Sequence, residues 1–164
     1  MDWCRQAGSG PVAVGGSSLG AQTAKSIAMR AVNWPQRLRP DALLAIIHTN
    51  AIAQTALNSS LSDIWNLSGA LRDAGWSKGL SEQWLQRLDP LQPSCLPAEN
   101  VVSVTGSADS VTLESEAHKQ LDYWQVPQQN RFSYRRGHFT VPLGMLRDTQ
   151  PLDRFREVLR TCEH

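Results

Sequence analysis

Four short strand-like runs, with helical stretches between them, constrain the fold more than any other feature of this sequence. Three are apolar and stop at a turn, as buried strands do, and the fourth alternates polar and apolar residues like a half-exposed edge strand. The runs are residues 11–15, 41–47, 101–105 and 131–135. Strands that alternate with helices indicate an α/β fold with a mainly parallel sheet of about four strands flanked by helices.

The segments between the strands carry apolar residues at helical spacing, as at Ala21, Ala24 and Ala28. A length of 164 residues suits a single domain, and we treat residues 1–164 as one. We predict helices over residues 2–6, 21–33, 112–124 and 151–159, three short helices within 51–88 with breaks near 58–60 and 75–79, and a proline-rich loop over 89–99.

The charge balance argues against two classes of partner. Lys and Arg number 16 and Asp and Glu 15, so the formal net charge is +1, and no basic excess indicates nucleic acid or an anionic membrane surface.

No apolar run reaches the roughly 18 residues needed to span a bilayer, and the first residues lack the apolar segment of a signal peptide. We therefore expect a soluble protein located in the cytoplasm.

Three cysteines, Cys4, Cys95 and Cys162, are scattered without the spacing of a metal site or a disulfide framework. Unpaired cysteines fit a reducing compartment. Cys4 or Cys95 is either a reactive thiol or an ordinary free cysteine, and we favour the second interpretation.

The pentapeptide GSSLG at residues 16–20 fits the pattern G-x-S-x-G, with Ser18 at its centre. A serine on a sharp turn between a strand and a helix has strained backbone geometry, and glycines two residues away let the chain segments pass closely. The hydroxyl is then exposed at the start of the helix, where the next amide, that of Leu19, can donate to an oxyanion. The motif alone is explained equally well by a tight turn.

Polar residues follow all four predicted strands, at positions Ser18, Asn50, Asp109 and His138. In a parallel sheet, ligands bind beyond the carboxyl ends of the strands. A serine hydroxyl needs a base within hydrogen-bond reach, and the base needs a carboxylate that holds its tautomer. The chain order Ser, Asp, His supplies these groups, although Asp109 as a turn residue and His138 as a surface or core histidine remain alternatives.

At these three segments the sequence resembles the α/β-hydrolase superfamily. Residues 12–20 resemble its nucleophile elbow, residues 104–109 its acid loop and residues 137–139 its histidine loop. The resemblance covers nearly the whole chain and implies the C-terminal half of that three-layer fold. It also implies a Ser-Asp-His triad of Ser18 as nucleophile, His138 as general base and Asp109 as orienting carboxylate, with the Leu19 amide as an oxyanion donor and no metal or cofactor.

The resemblance gives the other histidines no catalytic role. His48 lies where the family has structural residues, and we expect His118 and His164 on the surface. Residues 51–88 lie where the family commonly carries a cap-like insertion. Its aromatic and leucine residues form either an apolar acyl pocket or a small core of their own; they are Trp65, Trp76, Trp84, Leu61, Leu67, Leu71 and Leu80.

The chain departs from the family by supplying only the last four of about eight strands. The loop that gives the second oxyanion donor is among the parts not present, and no His-Gly-Gly type motif occurs. The strand at 11–15, central in the family, is then an exposed edge that invites pairing with another chain. We expect a truncated product, an incomplete gene model, one part of a two-piece protein, or a homodimer that pairs these edges.

Two functions compete on this basis. The first is a serine hydrolase of carboxylic esters or related small acyl compounds. The second is an inactive remnant of the fold that binds a partner through its open edge. A nucleotide-binding loop at residues 8–10 or 15–16 is disfavoured, because no G-x-G-x-x-G or Gly-Lys-Ser/Thr pattern accompanies either.

Overall fold

The computed structural model describes residues 1–8, 10–88 and 91–162, and a four-stranded parallel sheet forms its centre. The strands lie in the order of the chain, β1-β2-β3-β4, and every neighbouring pair is parallel. Their bounds are β1 Ala13–Ser17, β2 Ala42–Ile46, β3 Val101–Gly106 and β4 Arg131–Tyr134. The predicted α/β class, parallel sheet and strand number are confirmed.

Helices connect and cover the strands. They are α1 Asp2–Ala7, α2 Leu19–Arg30, α3 Ile52–Asn58, α4 Ser60–Trp65, α5 Leu67–Asp73, α6 Lys78–Leu85, α7 Glu114–Tyr123, α8 Thr140–Met145 and α9 Gln150–Thr161. Short 3-10 turns lie at Ala31–Asn33, Gln36–Leu38, Gln86–Leu88, Ala98–Asn100 and Gln128–Asn130. Within the described ranges, we find no helix with the length and hydropathy of a membrane span.

Two hydrophobic clusters cover the two faces of the sheet and make the fold three-layered. On one face, α2 and the end of α7 pack on β2 and β3 through residues such as Ala24, Leu43 and Leu121. On the other face, α8 and α9 contribute Val141 and Val158. The side chains of β2 and β3 are almost all buried, which is expected of parallel strands covered on both faces.

Strands β1 and β4 form the edges of the described sheet, as the sequence predicts. Along β1, Gly15 and Ser17 are exposed and the other residues are half-buried. The amide of Ser18 donates to the Ile46 carbonyl of β2, and the amide of Asp41 donates to the Val12 carbonyl. Because backbone groups alternate in direction along a strand, the amides of odd-numbered residues in β1 point away from β2, toward the open edge.

Three details differ from the sequence prediction. Strand β1 continues through Gly16 and Ser17, beyond the predicted end at residue 15, so that only Ser18 lies between β1 and α2. The 51–88 segment contains four helices rather than three, because Asn66 adopts a left-handed conformation and separates α4 from α5. Helix α8 was not predicted, since Pro142 and Gly144 within it are typical helix breakers.

The first turn of α2 passes very close to β1 at Gly16. A Cβ atom on Gly16 would lie 2.4 Å from the Gly20 carbonyl carbon and 2.8 Å from the Ala21 nitrogen, distances that real side chains do not reach. A Cβ atom on Gly20 would meet nothing within 4 Å. The close approach therefore requires a glycine at position 16 but not at position 20, although the motif contains both.

We predict that Gly16→Ala destabilises the protein by about 1–3 kcal/mol, because the methyl group must displace backbone atoms. The matched variant Gly20→Ala places its methyl group in open space at a helical position. Its free energy of unfolding should stay within about 1 kcal/mol of the parent. Urea denaturation of both variants checks the pair, and equal stabilities would contradict this account of the turn.

Candidate active site

Ser18 lies at the sharp junction between β1 and α2, in a backbone conformation that side chains rarely adopt. Its φ is 54° and its ψ is −119°. The amide of Ser18 still pairs with β2, donating to the Ile46 carbonyl at 2.9 Å. The sheet thus holds the backbone on the strand side of Ser18, and α2 holds it on the helix side. This strained geometry directs the hydroxyl outward from the carboxyl edge of the sheet.

The three predicted side chains meet at this edge. The Ser18 Oγ lies 2.9 Å from His138 Nε2, although 120 residues separate them in the chain. On the other side of the imidazole ring, Nδ1 lies 2.9 Å from Asp109 Oδ2. One ring nitrogen therefore faces a hydroxyl and the other a carboxylate, which is the arrangement that prepares a hydroxyl to give up its proton.

Asp109 is held by more than the histidine. Its Oδ1 accepts hydrogen bonds from the amides of Val111 at 2.7 Å and Thr112 at 3.0 Å. Its Oδ2 accepts a third from the Thr112 hydroxyl at 2.6 Å. The carboxylate is fully buried and the His138 ring is only 6% exposed, so these bonds fix the carboxylate out of contact with water. Sequence reasoning missed Thr112, although its place three residues after the aspartate is typical of such loops.

The amide of Leu19 is the first of α2. The first amides of a helix have no acceptor within it, so this group can donate to a ligand. The Leu19 side chain is 78% exposed and leaves the approach to Ser18 open.

The other predicted residues lie elsewhere. His48 is buried, and its Nε2 lies 2.8 Å from the Ser103 hydroxyl. Burial is the main cause that lowers the pKa of His48 well below its ordinary value, and the Lys25 and His118 charges lower it further. His118 is half-exposed on α7, 3.9 Å from Glu114. Among the described residues, no hydrogen bond joins Asn50 to Ser18, Asp109 or His138. His164, Ser9, Asp89 and Pro90 lie outside the described residues.

An apolar pocket of about 220 Å³ opens beside Ser18. Helices α3 to α5 form one wall, and the start of α2 and the loop after β3 form the others. The lining residues are Ser18, Leu19, Gln22, Thr49, Ile52, Thr55, Ala56, Leu61, Ser62, Trp65, Leu67, Val111 and Thr112. The interior of the pocket is mostly carbon, so it suits an apolar ligand group next to the hydroxyl.

The residues expected to line an acyl pocket divide into two groups. Leu61, Trp65 and Leu67 do line the pocket beside Ser18. Leu71 and Trp76 line a separate cavity of about 410 Å³, which does not include Ser18. In that region the Trp84 ring packs edge-on against Trp76, with centroids 6.5 Å apart. The first group thus lies where an apolar pocket is expected, whereas Trp76, Leu80 and Trp84 are 37–49% exposed and form no buried core.

The reactive-thiol alternative loses support at Cys95, and the nucleotide-loop alternative loses support at Gly15 and Gly16. The three cysteines are free thiols, and burial raises the pKa of Cys95 and of Cys162, which disfavours the reactive thiolate. Gly15 and Gly16 lie inside β1 rather than in a loop that cradles phosphate. Over the described ranges, no group of three histidine, cysteine or acidic residues is placed to hold a metal ion.

Solved structures with the same architecture are known. The rice cell wall degrading esterase LipA from Xanthomonas oryzae matches with a TM-score of 0.61 and 12% identity, over 90% of this chain and 58% of that one. A Pyrococcus furiosus esterase matches with a TM-score of 0.55 and 13% identity, over 92% and 54%. The acylaminoacyl peptidase of Pyrococcus horikoshii matches with a TM-score of 0.55 and 11% identity, over 97% and 25%.

The fold is that of the α/β-hydrolases. The predicted resemblance is thereby confirmed at the level of architecture, which is what identities this low establish. The chain spans little more than half the length of the two esterases that it matches. No protein-family model matches it, and no curated protein matches it.

Because His48 is buried, we predict that the free energy of unfolding of the protein falls in mild acid. Below its ordinary pKa of 6.5 the unfolded chain protonates this ring while the folded protein keeps it neutral. Each pH unit below that value then costs about 1.4 kcal/mol until the lowered folded pKa is reached. His48→Gln keeps a donor toward Ser103 and removes the titration. Between about pH 7.5 and 5.5, urea denaturation should show a smaller loss of stability in the variant; equal losses would contradict the assignment.

Proposed function

We propose that the protein is a serine hydrolase of carboxylic esters or related acyl compounds. The observation that carries this proposal is the continuous hydrogen-bonded series from Ser18 Oγ through His138 to Asp109. It lies at the edge of a parallel sheet where such folds bind ligands, beside an apolar pocket. The names of the structural neighbours add support, since two are esterases and one is an acylaminoacyl peptidase.

In the first half of the reaction, Ser18 Oγ attacks the ester carbonyl carbon while His138 Nε2 takes its proton. Asp109 holds the imidazole in the tautomer that accepts at Nε2 and stabilises the imidazolium that forms. The Leu19 amide donates to the carbonyl oxygen as it becomes negative. The intermediate then collapses, His138 returns the proton to the leaving alcohol, and the acyl group stays on Ser18.

In the second half, water attacks the acyl-enzyme and gives a proton to His138 Nε2. Collapse of the second intermediate breaks the bond to Ser18 Oγ, which takes the proton back and releases the acid. The cycle consumes one ester and one water and needs no metal or organic cofactor.

The helices α3 to α6 serve in this proposal as a cap-like insertion in a single domain. Their side chains Leu61 and Trp65 line the pocket beside Ser18 and would contact the apolar part of the substrate. The pocket of about 220 Å³ suits a small acyl or alcohol group.

A second oxyanion donor would come from a loop outside this chain's four strands. The loss of one such donor typically raises the barrier by about 2.7–4 kcal/mol. We therefore expect slow turnover from these residues alone, while the attack of Ser18 on a strong electrophile should still be measurable.

Labelling with a fluorophosphonate probe tests the proposal. The probe should react with the protein, and Ser18→Ala should abolish the reaction. Ser103 also lies within hydrogen-bond reach of a histidine, His48, but it is fully buried and out of reach of the probe. The adjacent variant Ser17→Ala is the matched control, since Ser17 is exposed and lies in β1. His138→Ala should slow labelling by at least about a hundredfold. Absence of labelling, or labelling that survives Ser18→Ala, would refute the hydrolase.

A second candidate function, a binding module without activity, is favoured by the open edge of β1. We propose that a strand from a second copy of the chain, or from an upstream segment of a longer protein, pairs with this edge. The outward amides of Ala13, Gly15 and Ser17 are the donors that such a strand would use. Free thiols at all three cysteines favour a cytoplasmic location for either function.

If the chain forms a homodimer through β1, its mass in solution should depend on the residue at position 13. Ala13→Pro removes an outward amide and leaves the pairing of β1 with β2 intact, so it should convert a dimer to a monomer in sedimentation experiments. Val32→Lys, at a half-exposed position beyond the end of α2, is a surface control that should leave the mass unchanged. A monomeric parent protein at high concentration would contradict the dimer.

A further inference from the structure

The fully buried Lys25 of α2 fixes the side chain of Gln22. The Lys25 Nζ donates to Gln22 Oε1 at 3.1 Å and to the Thr49 carbonyl oxygen at 2.5 Å. An ammonium group only donates hydrogen bonds, so the amide atom that faces it must be the oxygen. The orientation of the Gln22 amide is therefore set by the buried charge, and its NH₂ group lies on the side away from Lys25.

Gln22 also lines the pocket beside Ser18, and only 8% of it is exposed. Most of the hydroxyl groups in the pocket lining already donate their single proton to an acceptor within the protein. Thr55 Oγ1 donates to the Val111 carbonyl at 3.1 Å, and Ser62 Oγ donates to the Ser59 carbonyl at 2.8 Å. Thr112 donates to Asp109 at 2.6 Å. These groups have no proton left for a ligand.

The Gln22 amide differs from them. No described residue accepts a hydrogen bond from its nitrogen, which carries two protons. The nitrogen is not among the fully buried polar atoms that lack a hydrogen-bond partner, so it keeps some contact with solvent, and a ligand acceptor can take the place of water there. Gln22 is thus an oriented polar group with unused donors in a pocket that is otherwise mostly apolar.

We propose that Gln22 determines specificity by donating a hydrogen bond to an oxygen in the apolar chain of the substrate. This inference rests on the proposed hydrolase. Gln22 follows Ser18 by four residues, so it lies about 6 Å further along the helix axis. The matching substrates are esters whose acyl chain carries a carbonyl oxygen on the fourth or fifth carbon, in preference to plain alkyl esters. Lys25 acts as a positioning residue, since it contacts Gln22 and not the substrate.

A substrate pair and a conservative variant test the inference. The substrates are 4-nitrophenyl hexanoate and 4-nitrophenyl 5-oxohexanoate, which differ by one keto oxygen. Gln22→Glu keeps an oxygen for Lys25 and replaces the NH₂ donor by a second oxygen, which repels the keto group. The matched control is Gln128→Glu, the same chemical change at an exposed residue. Gln128 precedes β4, so it lies at the amino ends of the strands, away from Ser18.

The parent protein and Gln128→Glu should prefer the oxo ester by about tenfold in kcat/KM, after subtraction of spontaneous hydrolysis. In Gln22→Glu the ratio of kcat/KM for the two esters should fall to one or reverse. An equal ratio for the two esters in the parent, or a ratio that Gln22→Glu leaves unchanged, would overturn the inference.

Binding measurements separate this inference from the proposed function. If the parent hydrolyses neither ester and the fluorophosphonate probe does not label Ser18, the hydrolase fails. Calorimetric titration of ethyl hexanoate and ethyl 5-oxohexanoate into Ser18→Ala then tests Gln22 without any reaction. Tighter binding of the oxo ester that is lost in Ser18→Ala/Gln22→Glu supports the donor role, and equal binding or no binding of the two esters overturns it.

Discussion

The carboxyl ends of parallel strands meet at one edge of a sheet, and the rest of this structure depends on that constraint. Strands β1, β3 and β4 end at the same edge of the sheet, with β2 between β1 and β3, although Ser18 and His138 are 120 residues apart in the chain. The loops that follow these strands need only a few residues to bring a hydroxyl, an imidazole and a carboxylate into contact. The three buried hydrogen bonds to Asp109 from its own loop, in addition to that from His138, then keep the carboxylate fixed.

The strain at Ser18 is maintained by the elements around it. A backbone with φ of 54° at a serine costs free energy, of the order of 1–3 kcal/mol. Pairing of the Ser18 amide with β2 and the contact of Gly16 with the first turn of α2 hold the chain in this conformation. The same turn leaves the Leu19 amide unpaired at the start of a helix, so one local geometry supplies both the hydroxyl and the donor that the proposed reaction uses.

The sequence was sufficient for the features that depend on local patterns. Apolar runs of strand length located β2 and β3, and the spacing of glycines around Ser18 located the turn. Features that depend on packing across the sheet were not visible. Lys25 lies next to Ala24 and near Ala28, on the face of α2 that is buried. This position among alanines was the one sign in the sequence of a buried charge. Its partners Gln22 and Thr49, the extra helix break at Asn66 and helix α8 required the three-dimensional structure.

Mass spectrometry of the protein mixed rapidly with 4-nitrophenyl acetate tests the central claim most directly. The account predicts that the peptide containing Ser18 gains the mass of one acetyl group in the first turnover, and that the adduct is absent from Ser18→Ala. An acetyl group found instead on a lysine or on the exposed Cys4, with the Ser18 peptide unmodified, would contradict it.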